Sequence, residues 1–225
     1  MPVRSGALTP PSTRRLARLY DLIGRRHDWA ERYEARAKAL ALEALRLAPG
    51  QRVLNVGAGT GVEHRAIVGA LGRGESAVAL DVSPVMLRLV RGRTGSPVVL
   101  GDARRLPFAD AAFDRLFCSY VLDLLPEPDL RGTVEEFARV IRPGGLMTLV
   151  AMRQGITPGS RLLVGAWKLL YRVSPMLCGG CRPVALATLA GRLDLQLERS
   201  ESIAQLGFPS QVLILRRPST PSTPS

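Results

Sequence analysis

The residues of this sequence best suited to chemistry are three glycines and two aspartates, which lie just after or at the end of short apolar runs. Gly57, Gly59 and Gly61 stand at alternate positions, and a backbone without side chains can adopt positive φ and approach a ligand closely. Asp81 and Asp102 each end a later apolar run, where a carboxylate can accept hydrogen bonds from ribose hydroxyls or from an exocyclic amine. Together these residues predict a site for a ligand that contains a nucleoside.

The spacing of the glycines argues against a dinucleotide. The pyrophosphate-binding pattern G-x-G-x-x-G, begun at Gly57, requires glycine at a position that is Val62 here. The pattern is G-x-G-x-G instead, although Asp81 lies 24 residues after Gly57, near the offset of the ribose-binding acid in dinucleotide-binding folds. Because of this offset, a nicotinamide oxidoreductase remains an alternative. It predicts that NAD(H) raises the melting temperature of the protein.

Alternating strand and helix signals place these residues at one edge of a sheet. Apolar or β-branched runs predict strands at 52–56, 77–81, 98–101, 113–119 and 146–152, with helices at 62–71, 84–91 and 130–141 between several of them. Residues 193–203 and 210–218 have no room for a helix between them, so they are expected to pair as an antiparallel hairpin. The predicted fold class is α/β, a Rossmann-like doubly wound sheet of seven strands, mostly parallel, with the antiparallel C-terminal hairpin at one edge.

The chain is expected to form one domain over residues 14–217. Residues 1–13 and 218–225 are rich in proline, serine and threonine and are predicted to be disordered tails. Residues 154–182 interrupt the strand and helix alternation with an apolar, arginine-studded segment. This insertion is interpreted as a lid over an apolar substrate or a membrane-facing helix, and the alternative is a packed surface helix.

Composition narrows the classes of partner. The net charge is +12, and the basic residues are arginines apart from Lys38 and Lys168. No basic helix carries interleaved aromatics, so an anionic lipid surface is preferred over nucleic acid as a partner. The sequence has neither a secretory h-region nor an apolar run of membrane-spanning length, which predicts a cytoplasmic protein, with contact at the inner membrane face as a further option.

The three cysteines predict no disulfide framework. Cys178 and Cys181 form a CxxC pair within "CGGC", which is interpreted as a glycine-rich turn rather than a redox pair. A zinc site would need further ligands, and the histidines are limited to His27 and His64, so no metal is expected.

The ordered set of motifs resembles the class I S-adenosylmethionine-dependent methyltransferases. The matching stretches are "VLNVGAGTG", "ALDVSPVML", "GDARRLPFADAAFD", "CSYVLDLLPEPDL" and "FARVIRPGGLMTLV", in that order. The resemblance covers about residues 20–218. Its finer part, carried by "YDLIGRRHDWAERYE" and "CGGCRPV", is to the type 11 branch that contains ubiquinone and menaquinone C-methyltransferases and bacterial phospholipid N-methyltransferases.

The resemblance implies S-adenosyl-L-methionine as cofactor and assigns a role to each motif. Asp81 is expected to accept from the ribose hydroxyls, Asp102 from the adenine amine, and Met86 to pack on the adenine face. Asn55 replaces the usual acid at the end of the first strand, which removes a negative charge from the recognition of the cofactor's ammonium. The cofactor-binding residues are predicted to be Tyr20, Asn55, Gly57, Ala58, Gly59, Gly61, Asp81, Val82, Met86, Asp102, Ala103 and Ser119.

The expected reaction is in-line methyl transfer to an apolar or lipid-like acceptor, such as a quinol, an isoprenoid or a phospholipid headgroup. Asp123 and His27 are the candidate bases, whereas His64 is expected to cap a helix or face solvent. The alternatives are a methyltransferase acting on a small soluble natural product and a non-catalytic binding protein of the same fold. The acceptor, the methylated atom (N, O or C), the need for a base and the oligomeric state are left open by the sequence.

Overall fold

A seven-stranded sheet forms the centre of the protein. The structure is a computed structural model that describes residues 8–24, 31–72, 74–191 and 193–219. The strands are β1 (Val53–Val56), β2 (Ala77–Asp81), β3 (Val98–Leu100), β4 (Phe113–Ser119), β5 (Ile141–Met152), β6 (Gln196–Gln205) and β7 (Phe208–Arg216). Their order is β3-β2-β1-β4-β5-β7-β6. Strands β1 to β5 are parallel, and β7 pairs antiparallel with β5 and β6, so the predicted fold class is confirmed.

Helices cover both faces of this sheet. They are α1 (Thr13–Ile23), α2 (Glu31–Ala44), α3 (Val62–Leu71), α4 (Pro84–Thr94), α5 (Glu127–Val140), α6 (Pro158–Val173) and α7 (Leu186–Ala190). Buried residues of α2, α3 and α6 join one apolar cluster, while α5 and α7 contribute to the other. Neighbouring residues of β4 pack into opposite clusters. Leu116 joins the cluster of α5 and α7, and Phe117 joins the cluster of α2, α3 and α6. This two-sided burial explains why the strands read as continuous apolar runs.

Two element boundaries differ from those expected from the sequence. Strand β5 begins at Ile141 rather than at residue 146, because Ile141 pairs with Phe113 before an irregularity shifts the register to Leu146 opposite Arg115. Helix α5 begins at Glu127 rather than at residue 130, since the proline at position 128 lies in the first helical turn, where its missing N–H is tolerated.

The insertion at 154–182 contains α6 and a 3₁₀ turn, Pro175–Cys178. A capping box fixes the start of α6: the Thr157 hydroxyl accepts from the Ser160 N–H, and the Ser160 hydroxyl accepts from the Thr157 N–H. Within the described residues, no helix combines the length and hydropathy that crossing a membrane requires. The predicted tails at 1–13 and 218–225 lie mostly outside the described residues and stay predictions.

Candidate functional site

An open cavity lies at the carboxyl ends of β1, β2 and β4, beside α1. The predicted binding residues that line it are Tyr20, Gly57, Ala58, Gly59, Asp81, Val82, Met86, Asp102, Ala103 and Ser119. Among the described residues, Asn55, Gly61 and Asp123 are not part of the cavity wall. The proposed base His27 falls outside the described residues. Ligand contact by each of these side chains stays a prediction.

The glycine loop forms a tight turn between β1 and α3. The N–H of Gly57 donates to the carbonyl of Leu80 at 2.7 Å, and Gly57 has a φ of 69°. A Cβ atom at Gly57 would lie 2.1 Å from Cγ2 of Val121, so any other residue there would have to displace the Val121 side chain and adopt a strained backbone. At Gly59, which lines the cavity with a φ of 52°, a Cβ would meet no protein atom within 4 Å. The loop therefore presents bare main chain to the cavity, as a closely approaching ligand requires.

The third glycine and the residue that replaces the usual acid lie behind this loop. Gly61 has a φ of 86°, and a Cβ there would lie 3.1 Å from Cα of Val90. Its lack of a side chain therefore allows α3 to pack closely against α4. Asn55 is 1% exposed within β1, and neither amide atom has a hydrogen-bond partner among the described residues. Its amide is therefore buried in the core and does not line the cavity.

Asp81 fixes the glycine loop from the neighbouring strand. Its Oδ2 accepts from the Gly59 N–H and its Oδ1 from the Ser83 N–H, both at 2.9 Å. Burial raises the pKa of the Asp81 carboxyl, while these two N–H groups act in the opposite direction. A carboxylate offers about four lone pairs, so acceptor capacity remains for ribose hydroxyls.

Asp102 is held by an arginine that the sequence analysis did not single out. Its carboxylate accepts from Arg104 Nε at 3.1 Å and from Nη2 at 2.7 Å. Partial burial acts to raise the pKa of Asp102, but the hydrogen bonds and charge of Arg104 outweigh burial and hold that pKa below its usual value. Arg104 also donates to Thr13 Oγ1 at 2.8 Å and to Asp129 at 2.9 Å, which ties the start of α1 to this acid.

Helix α1 closes one side of the cavity. The start of α1 is held by Arg104 through Thr13. Further along the helix, Asp21 accepts from the Ser83 hydroxyl at 2.6 Å, two residues after Asp81 in the chain. The Tyr20 hydroxyl donates to the carbonyl of Gly179 at 3.2 Å, which joins α1 to the end of the insertion. The residues joined by these two contacts are 62 or more positions apart, so no local sequence motif predicts them.

A buried charge cluster forms a further part of the wall, and the sequence analysis missed it. Lys38 on α2 lies 3.0 Å from Glu34 of the same helix and 3.1 Å from Glu63 on α3. The three side chains are 7%, 8% and 12% exposed, respectively, and all line the cavity. A signal existed in the sequence, because Lys38 is one of only two lysines and stands four residues after Glu34.

Asp123 lies just behind the cavity wall, in the segment whose Val121, Leu124 and Leu125 line it. The residue is 0% exposed, its Oδ2 accepts from the Met152 N–H at 3.2 Å, and Oδ1 has no partner among the described residues. Burial raises the pKa of Asp123 to about 7, against the opposing effect of the Met152 N–H. A carboxyl that titrates near neutrality is suited to accepting a proton.

The expectation for His64 was wrong. It is 0% exposed on α3 rather than a cap or a solvent-facing residue, and burial lowers the pKa of its imidazole to about 4. A neutral histidine packed in the core cannot serve the cavity as a base. Cys181 lines the cavity as a free thiol, and Cys178 is also free and buried.

Comparison with known proteins agrees with this arrangement. A protein-family model described as a methyltransferase domain matches residues 54–149. The chain is 33% identical to a demethylmenaquinone methyltransferase of Mycolicibacterium vanbaalenii, over 85% of this chain and 83% of that protein. It is also 33% identical to a demethylmenaquinone methyltransferase of Corynebacterium urealyticum, over 65% of this chain but only 63% of that relative's length.

The fold has a solved counterpart as well. The crystal structure of the [4+2]-cyclase SpnF superimposes with a TM-score of 0.74 at 18% identity, over 96% of this chain and 100% of that chain. The likeness concerns the fold, while the relatives at 33% identity identify the family. The chain therefore belongs to the class I S-adenosylmethionine-dependent methyltransferases, and its cofactor is S-adenosyl-L-methionine.

Proposed function

We propose that this chain transfers the methyl group of S-adenosyl-L-methionine to an apolar, quinol-like acceptor. The observation that carries the acceptor class is the buried carboxylate of Asp123 behind an apolar part of the cavity wall, formed by Leu16, Val121, Leu124 and Leu125. An apolar ring fits such a wall, and its hydroxyl needs a base, whereas an amine acceptor would need none beyond water. The relatives named demethylmenaquinone methyltransferase support the same class.

The adenosine end of the cofactor matches the strand-end acids. We assign Asp81 as the acceptor for the ribose hydroxyls, Asp102 as the acceptor for the adenine amine, and Met86 to the adenine face, since all three line the cavity. The open space at Gly59 fits the close approach of the ligand to the main chain. Arg104 keeps Asp102 ionised, so this carboxylate remains an acceptor at neutral pH.

The methionine end is a zwitterion, and we assign it to the buried charge cluster of Glu34, Lys38 and Glu63. A carboxylate pairs with Lys38 and with the N–H groups at the start of α3, while the ammonium pairs with Glu63 and Glu34. This assignment compensates for Asn55, since the negative charge missing at the end of β1 is supplied from α2 and α3.

When bound, S-adenosylmethionine supplies an electrophilic methyl group on a positively charged sulfur. The task of the chain is then to align the acceptor with that methyl group and to exclude water. Orientation of this kind lowers a barrier by about 7–11 kcal/mol. Helix α1, which is anchored through Arg104 and Asp21, closes one side of the cavity.

Asp123 is assigned as the base for the acceptor hydroxyl. Because Asp123 is not itself part of the wall, we infer that the proton reaches its Oδ1 through one water molecule. Loss of the hydroxyl proton to Asp123 makes a quinol ring electron-rich, which favours attack of a ring carbon on the methyl group while the bond from methyl to sulfur breaks and S-adenosylhomocysteine leaves. The attacked carbon then loses its own proton to solvent, Asp123 returns its proton to the oxygen, and the aromatic quinol is restored.

A radiolabel transfer assay tests this function. The purified protein is incubated with tritiated-methyl S-adenosylmethionine and, in separate reactions, a short-chain naphthoquinol without a ring methyl group, phosphatidylethanolamine, or a pool of soluble metabolites. We expect label in the naphthoquinol and a loss of about tenfold or more with Asp81→Asn, since a charged hydrogen-bond acceptor is removed. Label confined to the headgroup amine or the soluble pool would overturn the proposed acceptor class.

A further inference from the structure

The outward face of α6 is apolar, where a surface helix is normally polar. Its midline consists of Leu162, Ala166, Leu169 and Val173, spaced by four, three and four residues, so these side chains form a single stripe. The three larger ones are 78%, 65% and 75% exposed, in that order, and Ala166 is exposed as well. We call these four residues the α6 stripe.

Positive charge accompanies the stripe. Arg161, Lys168 and Arg172 lie along one side of it, and α6 contains no acidic residue. Both arginines are exposed, whereas Lys168 donates to Gln154 at 2.8 Å. Long basic side chains beside an apolar stripe can bury their stems while their charged ends reach phosphate groups.

The stripe leads to the cavity. The 3₁₀ turn Pro175–Cys178, which follows α6, exposes Leu177 to 62%, and Cys181, three residues further on, lines the cavity. Helix α1, which meets this segment where Tyr20 donates to Gly179, adds a basic surface of its own. Its exposed residues are Arg14, Arg15, Arg18 and Leu22.

We propose that the α6 stripe and the adjoining 3₁₀ turn dock on an anionic lipid surface. The apolar side chains enter the boundary between headgroups and acyl chains, and the flanking arginines contact lipid phosphates. The inference deepens the proposed function, on which it rests for the acceptor: an apolar acceptor dissolved in the bilayer would meet the cavity from this side. A second copy is a poorer occupant, because two copies of a chain with a net charge of +12 repel each other, whereas an anionic surface attracts each of them.

Vesicle cosedimentation tests the docking without any methyl transfer. Vesicles of phosphatidylglycerol and phosphatidylcholine are compared with pure phosphatidylcholine at low and high salt. We expect the protein to pellet with the anionic vesicles at low salt and to be released by salt. Leu162→Ser/Leu169→Ser/Val173→Ser is expected to lower the partition coefficient by about tenfold or more, because three apolar side chains no longer enter the boundary. Arg161→Gln/Arg172→Gln is expected to lower it roughly tenfold at low salt.

Matched variants separate these effects from general changes in surface chemistry. Leu197→Ser/Leu206→Ser removes exposed apolar side chains from the β6–β7 hairpin, and Arg65→Gln/Arg91→Gln removes the same charge from α3 and α4. Both are expected to bind vesicles like wild type; if either loses binding to the same extent as its stripe counterpart, the docking face is wrong.

Other outcomes overturn the proposal in distinct ways. Wild-type protein that stays in the supernatant with anionic vesicles at low salt contradicts it. A wild-type dimer in size-exclusion chromatography that the triple serine variant converts to a monomer, without vesicle binding, would assign the stripe to a second copy. Because a water-soluble naphthoquinol needs no membrane, its methylation is expected to survive all four variants, so failure of the acceptor class and failure of docking are distinguished.

Discussion

Replacing Asp123 with asparagine is expected to lower kcat by about 10²–10⁴, the usual contribution of a general base, while raising the melting temperature at pH 8. The proposed role as base gives the two effects one cause: a buried carboxyl that accepts a proton lowers the stability of the fold when it is charged. Burial raises the folded pKa of Asp123 from 3.8 to about 7. The folded protein loses stability when the buried Asp123 carboxyl is charged. This loss is absent below the ordinary pKa of 3.8 and complete above about pH 7. The free energy of unfolding of the variant is therefore expected to exceed that of wild type increasingly as pH rises through this window, by at most about 4 kcal/mol.

The pH profile of the reaction separates a base from a structural residue. In wild type, kcat/KM for a naphthoquinol is expected to rise with pH and level off just above pH 7, and this inflection is expected to vanish in Asp123→Asn. Asp110→Asn, at a carboxylate 75% exposed on the surface, is the control and is expected to change neither activity nor stability appreciably. Wild-type kcat in Asp123→Asn would show that the proton leaves by another route.

Replacing Glu63 with glutamine is expected to weaken binding of S-adenosylhomocysteine by about 10- to 100-fold, the typical effect of losing one charge-assisted hydrogen bond. Affinity for 5′-methylthioadenosine is expected to change less than about twofold, since this ligand has no amino-acid end for the charge cluster to bind. Isothermal titration calorimetry with both ligands on wild type and variant measures the difference. Glutamine keeps the shape of the side chain and leaves Lys38 paired with Glu34, so the fold is retained.

The double variant Lys38→Met/Glu34→Gln is the companion test, because it removes the positive charge without leaving its helical partner unpaired. It is expected to show the same selective loss for S-adenosylhomocysteine. Glu43→Gln, at an exposed position of α2, is the control. Equal losses for the two ligands in Glu63→Gln would mean that the cluster shapes the whole cavity and does not recognise the amino-acid end.

The fold was predictable because its signals are local. The apolar runs of β1, β2 and β4 and the glycine loop each lie within about ten residues, and their order along the chain fixes the doubly wound topology. Strand β5 was predicted too short because its first pair, Ile141 with Phe113, precedes a glycine-containing irregularity that looks like a turn in the sequence. The start of such a strand is decided by hydrogen-bonded residues on the neighbouring strand, which are distant in sequence.

The site was predictable to the same extent. The strand-end acids and the loop glycines carry their own pattern, and the structure brings both acids, Gly57 and Gly59 to one cavity, whereas Gly61 packs behind it. Arg104, Glu63 and Asp21 carry no such pattern, because their roles depend on partners brought together by folding. His64 shows the converse error: a polar residue at the start of a helix suggested exposure, but the apolar face of α3 buries it.

Calorimetric titration of the pure protein tests the central claim most directly: bare main chain between Asp81 and Asp102 holds a nucleoside attached to an amino-acid sulfonium. S-adenosylmethionine and S-adenosylhomocysteine are expected to bind with measurable heat, Asp81→Asn is expected to weaken both, and NAD⁺ is expected to give none. Measurable heat of binding with NAD⁺, and none with S-adenosylmethionine or S-adenosylhomocysteine, would contradict the account.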